Sequence, residues 1–219
     1  MSATVLTTKK LLPNQKKTIR DSGIALVEYN AIKIELLDTI QVNNPIKNAI
    51  ITSQNAVKAL LKNKIAIQNC FCVGKKTKDQ LEKNHYQVKE IANYGKELAK
   101  IITQKYKEET FTFFCGNIRS EDIPNALKKY NIIFEEIVVY KTTLQPKKFK
   151  QSFDGVLFFS PSAVQSFTMK NKLENGIAFC IGISTAEEAK KYIKNIIIAN
   201  TTSVESVLEQ VVKKLKKDE

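Results

Sequence analysis

The chain states one strand–turn–helix pattern twice. Ser53, Ala56 and Val57, within Ile51-Thr52-Ser53-Gln54-Asn55-Ala56-Val57-Lys58-Ala59-Leu60, recur as Ser160, Ala163 and Val164, within Phe158-Phe159-Ser160-Pro161-Ser162-Ala163-Val164-Gln165-Ser166-Phe167, at an offset of 107 residues. A second pair follows in the same order at an offset of 108. Phe71-Cys72-Val73-Gly74-Lys75-Lys76-Thr77 returns as Phe179-Cys180-Ile181-Gly182-Ile183-Ser184-Thr185, with four of seven positions identical. Self-similarity at fixed spacing predicts two related lobes. Each repeat reads as an apolar strand, a small-residue turn and a helix.

A chain of 219 residues suits two lobes of about 100 residues, each near the lower end of what folds alone. Apolar content of 43% with 11 Phe supports a core in each. No run of about 20 apolar residues occurs and the N-terminus lacks a signal-peptide pattern, so the expectation is a cytoplasmic protein with no membrane partner. Cys70, Cys72, Cys115 and Cys180 lie inside apolar strand patterns and read as reduced, buried small hydrophobes. One C-x-C and the lone His85 do not make a zinc site, so no metal is expected; His85 reads as solvated in a helix-to-strand connection.

The balance of 35 basic against 22 acidic residues gives a formal charge of +13, which suits nucleic acid, a membrane surface or an acidic substrate. Only Arg20 and Arg119 are arginines, and no basic stripe interleaves with aromatics, which disfavours nucleic acid. A lysine-rich solvated surface and a polyanionic small-molecule ligand remain.

Read in order, Ala3–Thr8 is a strand, Pro13–Ser22 a helix with Gly23 as left-handed cap, and Ile24–Tyr29 a strand. Residues 31–37 alternate apolar and polar, which implies one wet face. From about Thr39, strands and helices alternate as far as the long strand Ile132–Thr143, in which Val138, Tyr140 and Thr142 alternate again. That strand is too long for one small sheet. After Pro146 the rhythm resumes with strands at 155–159, 177–181 and 196–199, helices at 162–171 and 185–193, and a last helix from Ser203. Thr202-Ser203-Val204-Glu205 reads as a capping box, followed by an apolar face of Val204, Val207, Leu208, Val211 and Leu215.

The fold class expected is therefore α/β: two parallel-sheet lobes joined by a two-stranded β-ladder hinge, with a cleft between them. Residues 1–37 and 144–219 form one discontinuous lobe and 38–137 the other. Strands 31–37 and 138–143 are the links.

Ligands of open parallel sheets bind beyond the carboxyl ends of the strands, where helix N-termini present free amides. The repeat puts Ser53, Thr77, Ser160 and the Ser184-Thr185 pair at four such places. Taken singly, each is an ordinary N-cap adding about 1 kcal/mol of stability; their matched placement in both lobes points to a site. With one His a serine-hydrolase triad is improbable, and neither G-x-G-x-x-G nor a Walker loop is present. What remains is a two-lobed, cofactor-free anion binder.

Cys115-Gly116-Asn117-Ile118-Arg119-Ser120-Glu121-Asp122-Ile123-Pro124-Asn125-Ala126-Leu127, then Ile137-Val138-Val139-Tyr140-Lys141-Thr142, Phe159-Ser160-Pro161-Ser162-Ala163-Val164 and Ile181-Gly182-Ile183-Ser184-Thr185-Ala186, together resemble the uroporphyrinogen-III synthase family in order and spacing. The resemblance implies two α/β lobes joined by a β-ladder. It also implies a reaction without cofactor or metal, in which hydroxymethylbilane, a linear tetrapyrrole with eight carboxylates, loses water and cyclises. The last pyrrole ring inverts through a spiro intermediate to give uroporphyrinogen III. The family's tyrosine, which assists departure of the hydroxyl, matches Tyr140. Its substrate-contacting hydroxyls match Ser53, Thr77, Ser160, Ser184 and Thr185, with Asn55, Gly116, Arg119 and Ser162 assigned to substrate binding beside them. Gln54 and Asn55 stand where many relatives have Pro and Arg, and Ile183 where Pro is frequent. A monomer is expected. Two other readings stay open: a non-catalytic receptor for an acidic metabolite, and a basic nucleic-acid-associated protein.

Overall fold

A computed structural model describes residues 2–42 and 45–216. Ile34–Thr142 forms one compact unit, here unit 2; Met1–Lys33 and Thr143–Glu219 together form unit 1.

Unit 2 runs as strand β4 (Ile46–Ile51), helix α2 (Gln54–Lys62), β5 (Ile67–Val73), α3 (Lys75–Lys83), β6 (Val88–Ala92), α4 (Gly95–Lys105), β7 (Phe111–Gly116), α5 (Asp122–Lys129) and β8 (Phe134–Leu144). Its sheet has the order β3-β8-β7-β4-β5-β6, where β3 is Ile32–Leu36 and the pairs β8/β7, β7/β4, β4/β5 and β5/β6 are parallel. Central strands buried on both faces need unbroken apolar runs, which β4 and β7 have. Helices α2 and α3 cover one face through Ala56, Val57, Leu60 and Leu81. Helices α4 and α5 cover the other through Leu98, Ile102, Ile123 and Leu127.

Unit 1 uses the same plan in a different chain order. Its strands are β1 (Thr4–Thr7), β2 (Ala25–Glu28), β9 (Gly155–Phe158), β10 (Ile177–Cys180) and β11 (Ile196–Ile198), arranged β11-β10-β9-β1-β2 and all parallel. Its helices are α1 (Pro13–Arg20), α6 (Pro161–Thr168), α7 (Ile183–Ala189) and α8 (Val204–Leu215). Superposing the two strand orders matches β9, β10, β11, β1 and β2 to β4, β5, β6, β7 and β8. Unit 1 is thus a circular permutant of unit 2: the helix after β11 and the strand β1 are its join, and the chain ends fall there. The sequence repeat is the part that permutation leaves in register, β4-α2-β5-α3 against β9-α6-β10-α7.

Two expectations need correction. The last helix is capped one residue later than the box predicts: Ser203 accepts from the Ser206 amide at 3.1 Å, and Glu205 instead accepts from Gln15 at 2.7 Å. The predicted alternation of Val138, Tyr140 and Thr142 holds for Tyr140 and Thr142, both buried with exposed Lys141 between them, and fails at Val138. Val138 is 39% exposed, whereas Val139 and Tyr140 are both buried. The cause is a β-bulge: Cys115 faces Val138 but Gly116 faces Tyr140, so Val139 is an extra residue in β8. The length of β8 is accommodated within one sheet, because it lies between β7 and β3, with Leu37 N donating to Val139 O at 3.0 Å.

Candidate functional site

The order β6-β5-β4-β7-β8 reverses between β4 and β7, and crevices for ligands form at the carboxyl ends of strands at such a reversal. In unit 2 three sequence-predicted residues meet there. β4 ends at Ile51, and Ser53 caps α2, its hydroxyl accepting from the Asn55 amide at 3.1 Å. β7 ends at Gly116, which pairs with Tyr140 on β8. The Tyr140 ring lies over Gly116 so closely that a Cβ on that residue would come within 2.5 Å of Cε2 and Cζ. The Ser53 side chain lies near enough to the phenol to favour its ionised form. Burial pushes the Tyr140 phenol above its usual range, and Ser53 opposes this only in part. Tyr140 belongs to the buried cluster that includes Phe114, Ala56 and Val57, which makes it a core aromatic at this strand edge.

The other assigned residues fall into matched sets. Ser160 caps α6 as Ser53 caps α2, accepting from Ala163 N at 3.2 Å and sharing a 3.1 Å bond with buried Ser162. Thr77 and Thr185 are each the third residue of a helix entered through glycine, Gly74 and Gly182, and both are buried. Ser184 is exposed beside Thr185, and Asn55 is half-buried in the first turn of α2. Arg119 already has its charge met, bound by Glu136 and, at 2.6 Å, by Glu121.

Asn117 is the residue that sequence reasoning passed over. Its side chain accepts from Thr142 N at 2.7 Å and donates to Thr142 O at 3.2 Å, while its own amide donates to Tyr140 O at 3.3 Å. Its place directly after Gly116, in a strand–turn–helix motif, was the available signal. All four cysteines are buried and free. No metal-holding cluster of His, Cys, Asp or Glu occurs among the described residues, and none of their helices is long and apolar enough to cross a membrane. A cavity of about 670 Å³ lies at the opposite edge of the unit 1 sheet, among segments that precede β9 and β10, remote from these helix starts.

These features define a class of protein: two α/β units of common strand order, each with paired helix starts at the carboxyl edge of its sheet. Residues 14–209 match the family model described as uroporphyrinogen-III synthase HemD, and the chain belongs to the uroporphyrinogen-III synthase family, enzymes of tetrapyrrole biosynthesis. Over 129 residues it is 32% identical to the porphyrin biosynthesis protein HemD of Ruminiclostridium josui, covering 53% of this chain and 26% of that one. The chain thus spans about a quarter of the length of that curated relative. The crystal structure of uroporphyrinogen-III synthetase from Helicobacter pylori aligns over 97% of this chain and 99% of its own, with a TM-score of 0.67 at 20% identity. A mutant uroporphyrinogen-III synthase from Thermus thermophilus aligns over 99% and 100%, with a TM-score of 0.68 at 12% identity. At such identities the likeness shows the fold.

Proposed function

We propose that this chain cyclises hydroxymethylbilane to uroporphyrinogen III, with loss of water and inversion of the last pyrrole ring. The observation that carries the reading is the buried Tyr140 phenol seated over Gly116 at the strand-order reversal of unit 2. A phenol held protonated by burial is a proton donor at neutral pH. As the terminal C–O bond breaks, Tyr140 gives its proton to the departing hydroxyl, which leaves as water. The freed terminal carbon then bonds to the substituted carbon of the last ring to give the spiro intermediate. The older C–C bond at that carbon breaks and re-forms at the ring's free α-carbon, whose proton is lost and returns to the phenolate, so no net oxidation or reduction occurs. The hydroxyl of Ser53 is placed to steady the phenolate that forms.

The substrate's carboxylates suit helix starts, where unpaired amides and the helix dipole favour negative charge. Ser53 and Thr77 mark such starts in unit 2; Ser160, Ser162, Ser184 and Thr185 mark them in unit 1. With Arg119 neutralised by its own glutamates, anion binding falls to these amides and hydroxyls and to the field of a +13 chain. The test is incubation with hydroxymethylbilane and separation of the product isomers. Type III product is expected. Type I alone, the product of spontaneous closure, would overturn the reading, and tight binding without type III product would favour a receptor.

A further inference from the structure

The Tyr140 phenol is seated by three features of β7 and β8 that coincide. The bulge at Val139 turns two successive residues, Val139 and Tyr140, into the interior. Gly116 has no side chain where the ring lies; a Cβ there would also stand 2.9 Å from the phenol oxygen. Beyond β7 the parallel ladder would lapse, yet Asn117 prolongs it. Its amide bonds to Tyr140 O and its carboxamide takes both the N–H and the C=O of Thr142. The strand carrying Tyr140 is therefore held on both sides of the bulge.

We propose that the Gly116–Asn117 dipeptide is the positioning element for the Tyr140 phenol: Gly116 leaves the ring its seat, and Asn117 pins the backbone that carries it. This rests on the reading of Tyr140 as proton donor. Gly116 is buried beneath the ring, so its part is to shape the acid rather than to touch substrate. Asn117 acts through two backbone groups and needs no contact with substrate either. A proton donor displaced by about 1 Å loses up to about a hundredfold in rate, so small shifts of this ring are decisive.

The test is the initial rate of type III formation by Gly116→Ala, Asn117→Ala and Tyr140→Phe, alone and combined. Each of the first two should lower kcat by about 10- to 100-fold while KM stays within about twofold. Neither should lower it further in a Tyr140→Phe background. Gly116→Ala forces a buried ring to move and can cost folding; Asn117 is exposed, so Asn117→Ala keeps the question open to measurement. A raised KM at unchanged kcat would make these residues substrate contacts and overturn the inference, as would an undiminished loss in the Tyr140→Phe background. Wild-type kcat in Asn117→Ala beside a slow Tyr140→Phe would defeat the inference and leave the function standing. Full activity in Tyr140→Phe would remove the inference together with the role of the tyrosine.

Discussion

Thr77 and Thr185 occupy one position of a duplicated design: third residue of a helix entered through glycine, at 5% and 3% exposure. Both residues are buried in the first turn of their helices. Replacing either with Val keeps the branched shape and removes the hydroxyl alone. A hydrogen bond to a charged group contributes about 1.5–3 kcal/mol, so each variant should bind uroporphyrinogen III roughly tenfold or more weakly. Fluorescence titration with product checks this. Unchanged affinity in both would assign the two threonines to packing.

Tyr140→Phe should leave the ring's contacts in place and slow type III formation by about 10²–10³-fold, the range for one general acid. The melting temperature should stay near that of the wild type. Because burial raises the phenol above its ordinary value of 10.0, its proton is present below that pH and is lost only as pH climbs through the higher value. The rate of the wild type should thus show no decline from this group between neutrality and pH 10. A pH–rate profile with a limb near pH 9 that vanishes in Tyr140→Phe would contradict the assignment.

The strand–helix alternation was legible because apolar runs, N-cap serines and glycine turns are local signals; α2 falls at residues 54–62, where Ser53 foretells it. The permuted relation of the units was half legible, since only the part in register repeats in sequence. The bulge at Val139 was not. Three β-branched or aromatic residues in a row look like any strand, and which one is extra depends on Cys115 and Gly116, some 25 positions away. Arg119 shows the same limit. As a lone arginine it invites an anion, yet Glu136 arrives beside it only through the β7–β8 pairing.

Ser53 and Ser160 allow a comparison within one molecule. Each caps its helix, so alanine at either should cost about 1 kcal/mol in denaturant unfolding. Only Ser53→Ala also removes the hydroxyl near the Tyr140 phenol, so it alone should lower kcat by about tenfold or more. Equal effects of the two on kcat would dissociate Ser53 from the tyrosine.

Burial pushes the thiols of Cys70 and Cys180 up to about 12 and that of Cys72 to about 11, against an ordinary value of 9.0. A folded-state pKa above the unfolded one adds stability below the unfolded value and withdraws it as pH rises toward the folded one. The melting temperature should therefore hold to about pH 9 and fall between 9 and 12. Buried Tyr29, raised to about 12, joins the fall from pH 10 upward. Melts in a pH series check this. A Cys70→Ala, Cys72→Ala, Cys180→Ala variant should lose less over the same interval.

The permuted order of unit 1 has a consequence for synthesis. Unit 2 is contiguous and can close as soon as it emerges, but β1 waits for β9, and Thr4 N finds its acceptor on Asp154, 150 residues later. At the usual pace of translation that interval is on the order of ten seconds, far longer than a helix or a hairpin needs to form. Throughout it β1 and β2 can pair and α1 can pack on them, but Val5 and Leu6 lack β9 beside them and the Val5, Ile19 and Ile24 cluster lacks Val207, Leu208 and Val211 of α8. Residues 2–33 are thus the stretch of unit 1 that waits longest for its partners, and so the one most in need of a chaperone.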